Sequence, residues 1–217
     1  MSRPFVFGVD LDGVVADYTL GFRDVVADVL SRDPESLPIE RSWDFAEWGI
    51  DQRDFDKLHE IAVNQRRMLR NLPMIDDAAD ALWRLSDAGV WIRVVTHRLY
   101  VNWGHAAAIS DTVVWLDRNR IPYRDICFLG AKPEVEADCY IDDAPHNIDS
   151  LRAAGNDVIV FDQPYNRECG GLRARDWAEV EGIVVDLAAR LTGAVELQMP
   201  GIDAGSDRLD RRIHPES

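Results

Sequence analysis

Asp10-Leu11-Asp12-Gly13 follows the apolar run Phe5-Val6-Phe7-Gly8-Val9 near the start of the chain. A short apolar run that stops at acidic residues and a glycine predicts a buried strand, with Asp10 delivered to its C-terminal end. Taken alone, the two carboxylates have two readings. They can be catalytic, or they can cap a turn for which Gly13 supplies the flexibility. The rest of the chain decides between them.

Downstream, Phe22, Val25, Val26, Val29 and Leu30 recur at helical spacing, so an amphipathic helix is expected after about Asp17, ended by Pro34 and Pro38. Residues 39–74 mix Trp43, Phe45, Trp48 and Phe55 with many charges, and a second helix is expected from Arg53 to about Arg67. Strand-helix alternation then resumes. Ile75, Ala79, Leu82 and Leu85 mark a helix, Val90 to Val95 a strand, and Ile109, Val113 and Leu116 another helix. Ile126 to Leu129, Cys139 to Ile141 and Val158 to Phe161 read as strands. Ile148 and Leu151 fall on a helix, and Trp177, Val180, Val184, Leu187 and Leu191 form the stripe of a last one. Such alternation implies an α/β fold, a parallel sheet with helices on both faces. Ligands of such sheets bind beyond the C-terminal ends of the strands.

Three further elements sit where that rule would use them. Thr96 ends the Val90–Val95 strand, and its hydroxyl can bond a phosphoryl oxygen or cap a helix. Lys132, one of only two lysines with Lys57, offers a compact positive charge. Asp142 and Asp143 follow the strand at Tyr140-Ile141. Two adjacent acids at a strand end are costly without a compensating charge, and a hard cation that prefers oxygen ligands compensates them.

Composition narrows the partners. The chain of 217 residues is 47% hydrophobic and carries a net charge of −15. That charge repels polymeric nucleic acid and anionic membrane surfaces, while a small anionic ligand remains compatible with a local cation or bound metal. Cys127, Cys139 and Cys169 are too scattered for a disulfide framework or zinc site, and Cys127 and Cys139 read as buried thiols of a reducing compartment. No signal-peptide pattern and no membrane-length apolar stretch appear, so a cytoplasmic protein is expected.

In combination, Asp10-Leu11-Asp12-Gly13-Val14, Thr96, Lys132 and Asp142-Asp143 resemble the four ordered motifs of the haloacid dehalogenase-like superfamily. The resemblance implies a Rossmann-like sheet and phosphate chemistry. Asp10 is then the nucleophile, Asp12 the acid and base, and Thr96 and Lys132 the phosphate ligands. Mg²⁺ is held by Asp10, Asp12 through its backbone carbonyl, Asp142 and Asp143. Asp10 and Thr96 lie 86 positions apart, far more than one strand-helix-strand unit needs. The excess falls where this superfamily places a cap. We therefore expect a catalytic core over 1–17 and 75–192, a small helical cap over 18–74, and a flexible tail over 193–217.

More closely, Asp10 to Tyr18, the ten-residue step from Lys132 to Asp142, and the Tyr140–Asp143 run are similar to the 5′(3′)-deoxyribonucleotidase family. That likeness implies a nucleoside monophosphate as substrate, with Tyr18 against the base and Trp43, Trp48 and His97 as further substrate contacts. The chain departs from the family at His97-Arg98, where a Ser-Pro pair is usual, and at Ala144, where a basic residue is frequent. Two alternatives stay open at this point. One is a phosphatase for a sugar phosphate or other small phosphomonoester; the other is a protein that binds a phosphate ligand without turnover.

Overall fold

The computed structural model describes residues 3–99 and 104–192; the tail expected at 193–217 lies outside them. Six strands are all parallel: β1 (Val6–Val9), β2 (Trp91–Thr96), β3 (Asp125–Phe128), β4 (Cys139–Asp142), β5 (Val158–Phe161) and β6 (Arg173–Ala174). Their order is β3-β2-β1-β4-β5-β6. The chain therefore works outward from β1 in one direction and then, from β4, in the other. That switch point opens a crevice at the C-terminal ends of β1 and β4, the ends that carry Asp10 and Asp142.

Among the described residues six α-helices accompany the strands: α1 (Tyr18–Leu30), α2 (Gln52–Glu60), α3 (Ala78–Asp87), α4 (His105–Arg118), α5 (Pro145–Ala153) and α6 (Trp177–Thr192). Strand residues alternate between two apolar cores. Phe7, Val9, Ile92, Val94, Ile141 and Ile159 face the larger one, shared with α3, α4 and α6. Val95, Tyr140, Val158 and Val160 face a smaller one closed by Ile148 and Leu151 of α5. The sheet is thus covered on both faces, which is why its strands read as continuous apolar runs. On the second face Tyr140 lies over Gly8, where an added Cβ would stand 2.7 Å from the ring.

Segment 18–74 is helical and enters between β1 and α3. Its two ends run side by side: the Asp17 N–H donates to the Pro73 carbonyl (2.8 Å) and the Ile75 N–H to the Val15 carbonyl (2.8 Å). Within it, Phe22, Phe45, Trp48 and Phe55 pack ring against ring, with centroids 4.8 to 5.9 Å apart. The helix expected to Arg67 keeps regular α geometry only to Glu60; Ile61–Gln65 is a wider, π-helical turn and Arg67 adopts a left-handed backbone. Arg67 there pairs bidentately with buried Asp111 of α4 (2.6 Å twice), tying the insertion to the sheet-covering helices.

Two expectations are corrected. Cys127 is only half-buried, because β3 is an edge strand; Cys139, on inner strand β4, is buried, and burial pushes its thiol up to about 12. Leu191 is 64% exposed, the buried stripe of α6 ending instead on Trp177, Val180, Val184 and Ala188. The strand β6 is two residues long and carries Arg173, so no apolar run announced it.

Candidate active site

Asp10 follows the last residue of β1 and its N–H donates to the Ile141 carbonyl of β4 (3.2 Å), which sets it beside Asp142. Lys132 bridges the two: its Nζ lies 2.7 Å from Asp10 Oδ1 and 2.6 Å from Asp142 Oδ2. Carboxylate oxygens of Asp10, Asp142 and Asp143 all fall within 4.8 Å of one another. Asp142 is fixed further by the Ala144 N–H (3.0 Å) and Asn147 Nδ2 (3.2 Å), both donating to Oδ1. Asp143 accepts from the Tyr165 hydroxyl, and its own carbonyl accepts from Asn166 Nδ2 (2.8 Å). Gly13 turns under this cluster at φ +81°, where an added Cβ would lie 2.0 Å from Asp143 Oδ2. Only glycine fits that close approach.

The charge balance is uneven. Burial pushes the Asp10 carboxyl up to about 7, with Asp142 and Asp12 adding to the rise and Lys132 opposing it. Burial, with Asp10 and Asp142, also raises Asp143. Lys132 is itself buried, which disfavours its charge, yet Asp10 and Asp142 more than offset that and its pKa rises. One ammonium therefore serves three clustered, buried carboxylates. Hard oxygen donors short of positive charge fit a divalent cation such as Mg²⁺.

Asp12 points a different way. Arg98 grips it bidentately, Nε to Oδ2 at 3.0 Å and Nη2 to Oδ1 at 2.7 Å, while Nη1 donates to the Thr112 hydroxyl at 3.3 Å. The Arg98 side chain is 1% exposed. Planar, two-point pairing of this kind fixes the carboxylate rotamer. Thr96, buried at the end of β2, accepts from the Arg98 backbone N–H at 3.3 Å. The departure at His97-Arg98 thus places a strut for Asp12. Arg98→Met is expected to lower kcat about 10²-fold with little change in KM, because a displaced Asp12 costs alignment and not affinity. Arg98→Lys should restore only part, since an ammonium lacks the fork. Steady-state kinetics separates the two parameters, and a rise in KM alone would contradict the role.

The expected substrate contacts divide. The Tyr18 hydroxyl is buried without a hydrogen-bond partner, and its ring packs on Phe22 (5.4 Å) and His59 (6.2 Å). Trp43 is 46% exposed and meets His146 and Tyr165 edge-on (5.3 Å each). His97 is partly buried beside Lys132 and His146, and burial lowers its pKa to about 4, so it stands neutral. Trp48 is elsewhere. It is fully buried, donates its indole N–H to the Pro38 carbonyl (2.8 Å), and packs into the aromatic core of segment 18–74, leaving no face for a ligand. Reading the sequence missed Asn147 and Tyr165. Asn147 lies five residues after Asp142, but Tyr165 stands in a stretch with no motif around it.

The chain is similar to known proteins. Residues 3–192 match the family model described as 5′ nucleotidase, deoxy (pyrimidine), cytosolic type C. A provisionally named 5′(3′)-deoxyribonucleotidase of Chlorobaculum tepidum is 42% identical over 184 residues, covering 84% of this chain and 91% of that protein. The 5′(3′)-deoxyribonucleotidase of Bacillus subtilis is 27% identical over 179 residues, covering 81% and 96%. Among solved structures, a haloacid dehalogenase-family hydrolase of Deinococcus radiodurans with bound phosphate and sodium superposes with a TM-score of 0.60 at 16% identity, over 86% of this chain and 97% of that one. A haloacid dehalogenase-like hydrolase of Streptococcus pneumoniae gives 0.59 at 13% identity, over 84% and 99%. The last two likenesses speak to the fold.

Proposed function

The chain belongs to the 5′ nucleotidase, deoxy (pyrimidine), cytosolic type C family, and from that premise we propose that it hydrolyses nucleoside monophosphates through an aspartyl-phosphate on Asp10. It is a phosphoric monoester hydrolase with a haloacid dehalogenase-like fold. The observation that carries the finer reading is the contact of Lys132 with both Asp10 and Asp142, with Asp12 held two residues further along by Arg98.

In this reading an Asp10 carboxylate oxygen attacks phosphorus in line, and the bond to the leaving nucleoside oxygen breaks as Asp12 gives that oxygen a proton. Asp12 then takes a proton from water, whose oxygen attacks the phosphorus of the aspartyl-phosphate. Inorganic phosphate leaves and the Asp10 carboxylate is restored. The Thr96 hydroxyl and the Lys132 ammonium bind the equatorial oxygens. The carboxylates of Asp10, Asp142 and Asp143, with the Asp12 carbonyl, would hold Mg²⁺, which neutralises charge on the phosphoryl group and on the cluster. Segment 18–74 serves as the cap, with Tyr18 toward the nucleoside and Trp43 at the rim. No helix among the described residues is long and apolar enough to cross a membrane. A cytoplasmic setting rests on the family's own description as cytosolic.

Phosphate release from a panel of deoxyribonucleoside and ribonucleoside monophosphates and sugar phosphates, with Mg²⁺ and with chelator, tests this reading. Mg²⁺-dependent release with nucleotides preferred is expected, and Mg²⁺ alone should raise the thermal midpoint by relieving repulsion in the cluster. A preference for sugar phosphates would overturn the substrate, and full turnover in chelator would overturn the metal.

A further inference from the structure

Three cationic side chains are buried among the described residues: Arg41, Arg98 and Lys132. Arg98 is paired with Asp12, and Lys132 with Asp10 and Asp142. Among the described residues no carboxylate lies within ion-pair distance of Arg41, and Asp143 and Glu47 act on it only at longer range. Arg41 is 5% exposed, and its hydrogen bonds go to neutral oxygens: Nε and Nη2 to the Thr19 hydroxyl (3.2 and 3.0 Å) and Nη1 to the Ser42 carbonyl (3.0 Å). Two rings flank the guanidinium, with Phe45 at 3.8 Å and Tyr165 at 4.5 Å from its central carbon. Cation–π contact recovers part of the lost hydration. It does not replace a counter-ion, and burial accordingly lowers the Arg41 pKa.

Its location gives the vacant charge a meaning. Tyr165, whose ring Arg41 covers, bonds Asp143 through its hydroxyl. The buried, unpartnered Tyr18 hydroxyl lies within electrostatic reach of Arg41, Asp12 and Arg98. Arg41 therefore lies one ring away from Asp143 and within its electrostatic reach, and Thr19, Ser42 and the two rings fix its orientation before any ligand arrives. Sequestered positive charge beside a phosphate-handling site is suited to an anion, and guanidinium geometry matches phosphoryl oxygens.

We infer that Arg41 is a phosphate-binding residue contributed by segment 18–74, its guanidinium pairing with the non-bridging oxygens of the substrate's phosphoryl group. This rests on the phosphomonoester reading above but not on the nucleoside part of it. It also gives the segment a role beyond covering the site, since bound phosphate would tie it to the core.

The test uses inorganic phosphate as the probe, on the full chain with Arg41→Met and Arg41→Lys. In the wild type, phosphate should raise the thermal midpoint and inhibit competitively. In Arg41→Met the phosphate-induced rise should vanish and the inhibition constant increase at least about tenfold, with Arg41→Lys between the two. kcat/KM should fall by a similar factor on every monoester, including p-nitrophenyl phosphate, which has no base. Unchanged phosphate binding would overturn the inference. So would a loss confined to nucleotides, which would make Arg41 a reader of the nucleoside. A fall in the ligand-free midpoint with normal phosphate binding by Arg41→Lys would make it a strut and overturn the inference too. If the wild type prefers sugar phosphates, the nucleotidase reading falls, while lost phosphate binding in Arg41→Met still upholds this role.

Discussion

Asp10→Asn is expected to reduce phosphate release by about 10⁴-fold or more on every substrate while leaving the protein folded and at least as stable as the wild type. The two outcomes have one origin. Asparagine keeps the size of the side chain and an oxygen to accept from Lys132, but its amide cannot form the aspartyl-phosphate. Stability responds in the opposite sense. Burial, reinforced by Asp142 and Asp12 and opposed by Lys132, raises the Asp10 carboxyl from 3.8 to about 7. A carboxyl whose folded pKa lies above its unfolded value binds its proton more tightly when folded. Stability is therefore lost as pH rises between those two values. The amide carries no such penalty. Metal-free thermal midpoints near pH 5 and near pH 8 should show a gap that widens in favour of Asp10→Asn at the higher pH. Retained turnover would sink the nucleophile assignment, and a midpoint gap of the opposite sign would sink the account of the cluster's strain.

Much of the fold could be read before the structure, because parallel strands buried on both faces are apolar throughout. Val158 to Phe161 was bounded to the residue, and Tyr18–Leu30 began where the stripe through Phe22 and Val26 said it should. Asp10, Thr96, Lys132 and Asp142 were visible for the same reason: each ends, or lies shortly beyond, such a strand. What stayed hidden is tertiary. Trp43 and Trp48 stand five positions apart in one stretch, yet one is exposed and the other wholly interior. Between them the backbone at Phe45 is left-handed, which no local pattern marks. Arg98 drew notice only as a departure from the family pattern, and its grip on Asp12 spans 86 residues of sequence. Arg41 and Tyr165 gain their meaning from each other, 124 positions apart.

Lys132→Met should be the most destabilising single change at the site, and its sign is opposite to that of Asp10→Asn. The side chain is 2% exposed and holds Asp10 at 2.7 Å and Asp142 at 2.6 Å. Methionine fills the space with similar volume, so packing is nearly conserved and the electrostatic loss is isolated. Removing the cation from a buried ion pair and leaving the anions behind typically costs about 3–5 kcal/mol. Here two carboxylates are abandoned, beside a third whose pKa is already raised by burial and by its neighbours. For a domain of this size such a loss lowers the thermal midpoint by roughly 6 to 20 °C. The deficit should shrink as pH falls, because protonation of the abandoned carboxyls removes the charge that Lys132 balanced. It should also shrink when Mg²⁺ is added, since a divalent cation bound by the same oxygens restores positive charge. Activity would not return with the midpoint, because the phosphoryl oxygens lose the ammonium that binds them. A calorimetric series over pH and Mg²⁺, run beside phosphate-release assays, separates the two roles. If Mg²⁺ leaves the Lys132→Met midpoint unchanged, Asp10, Asp142 and Asp143 do not form a cation site. If it restores turnover as well as stability, Lys132 supports the carboxylates only and does not touch the phosphate.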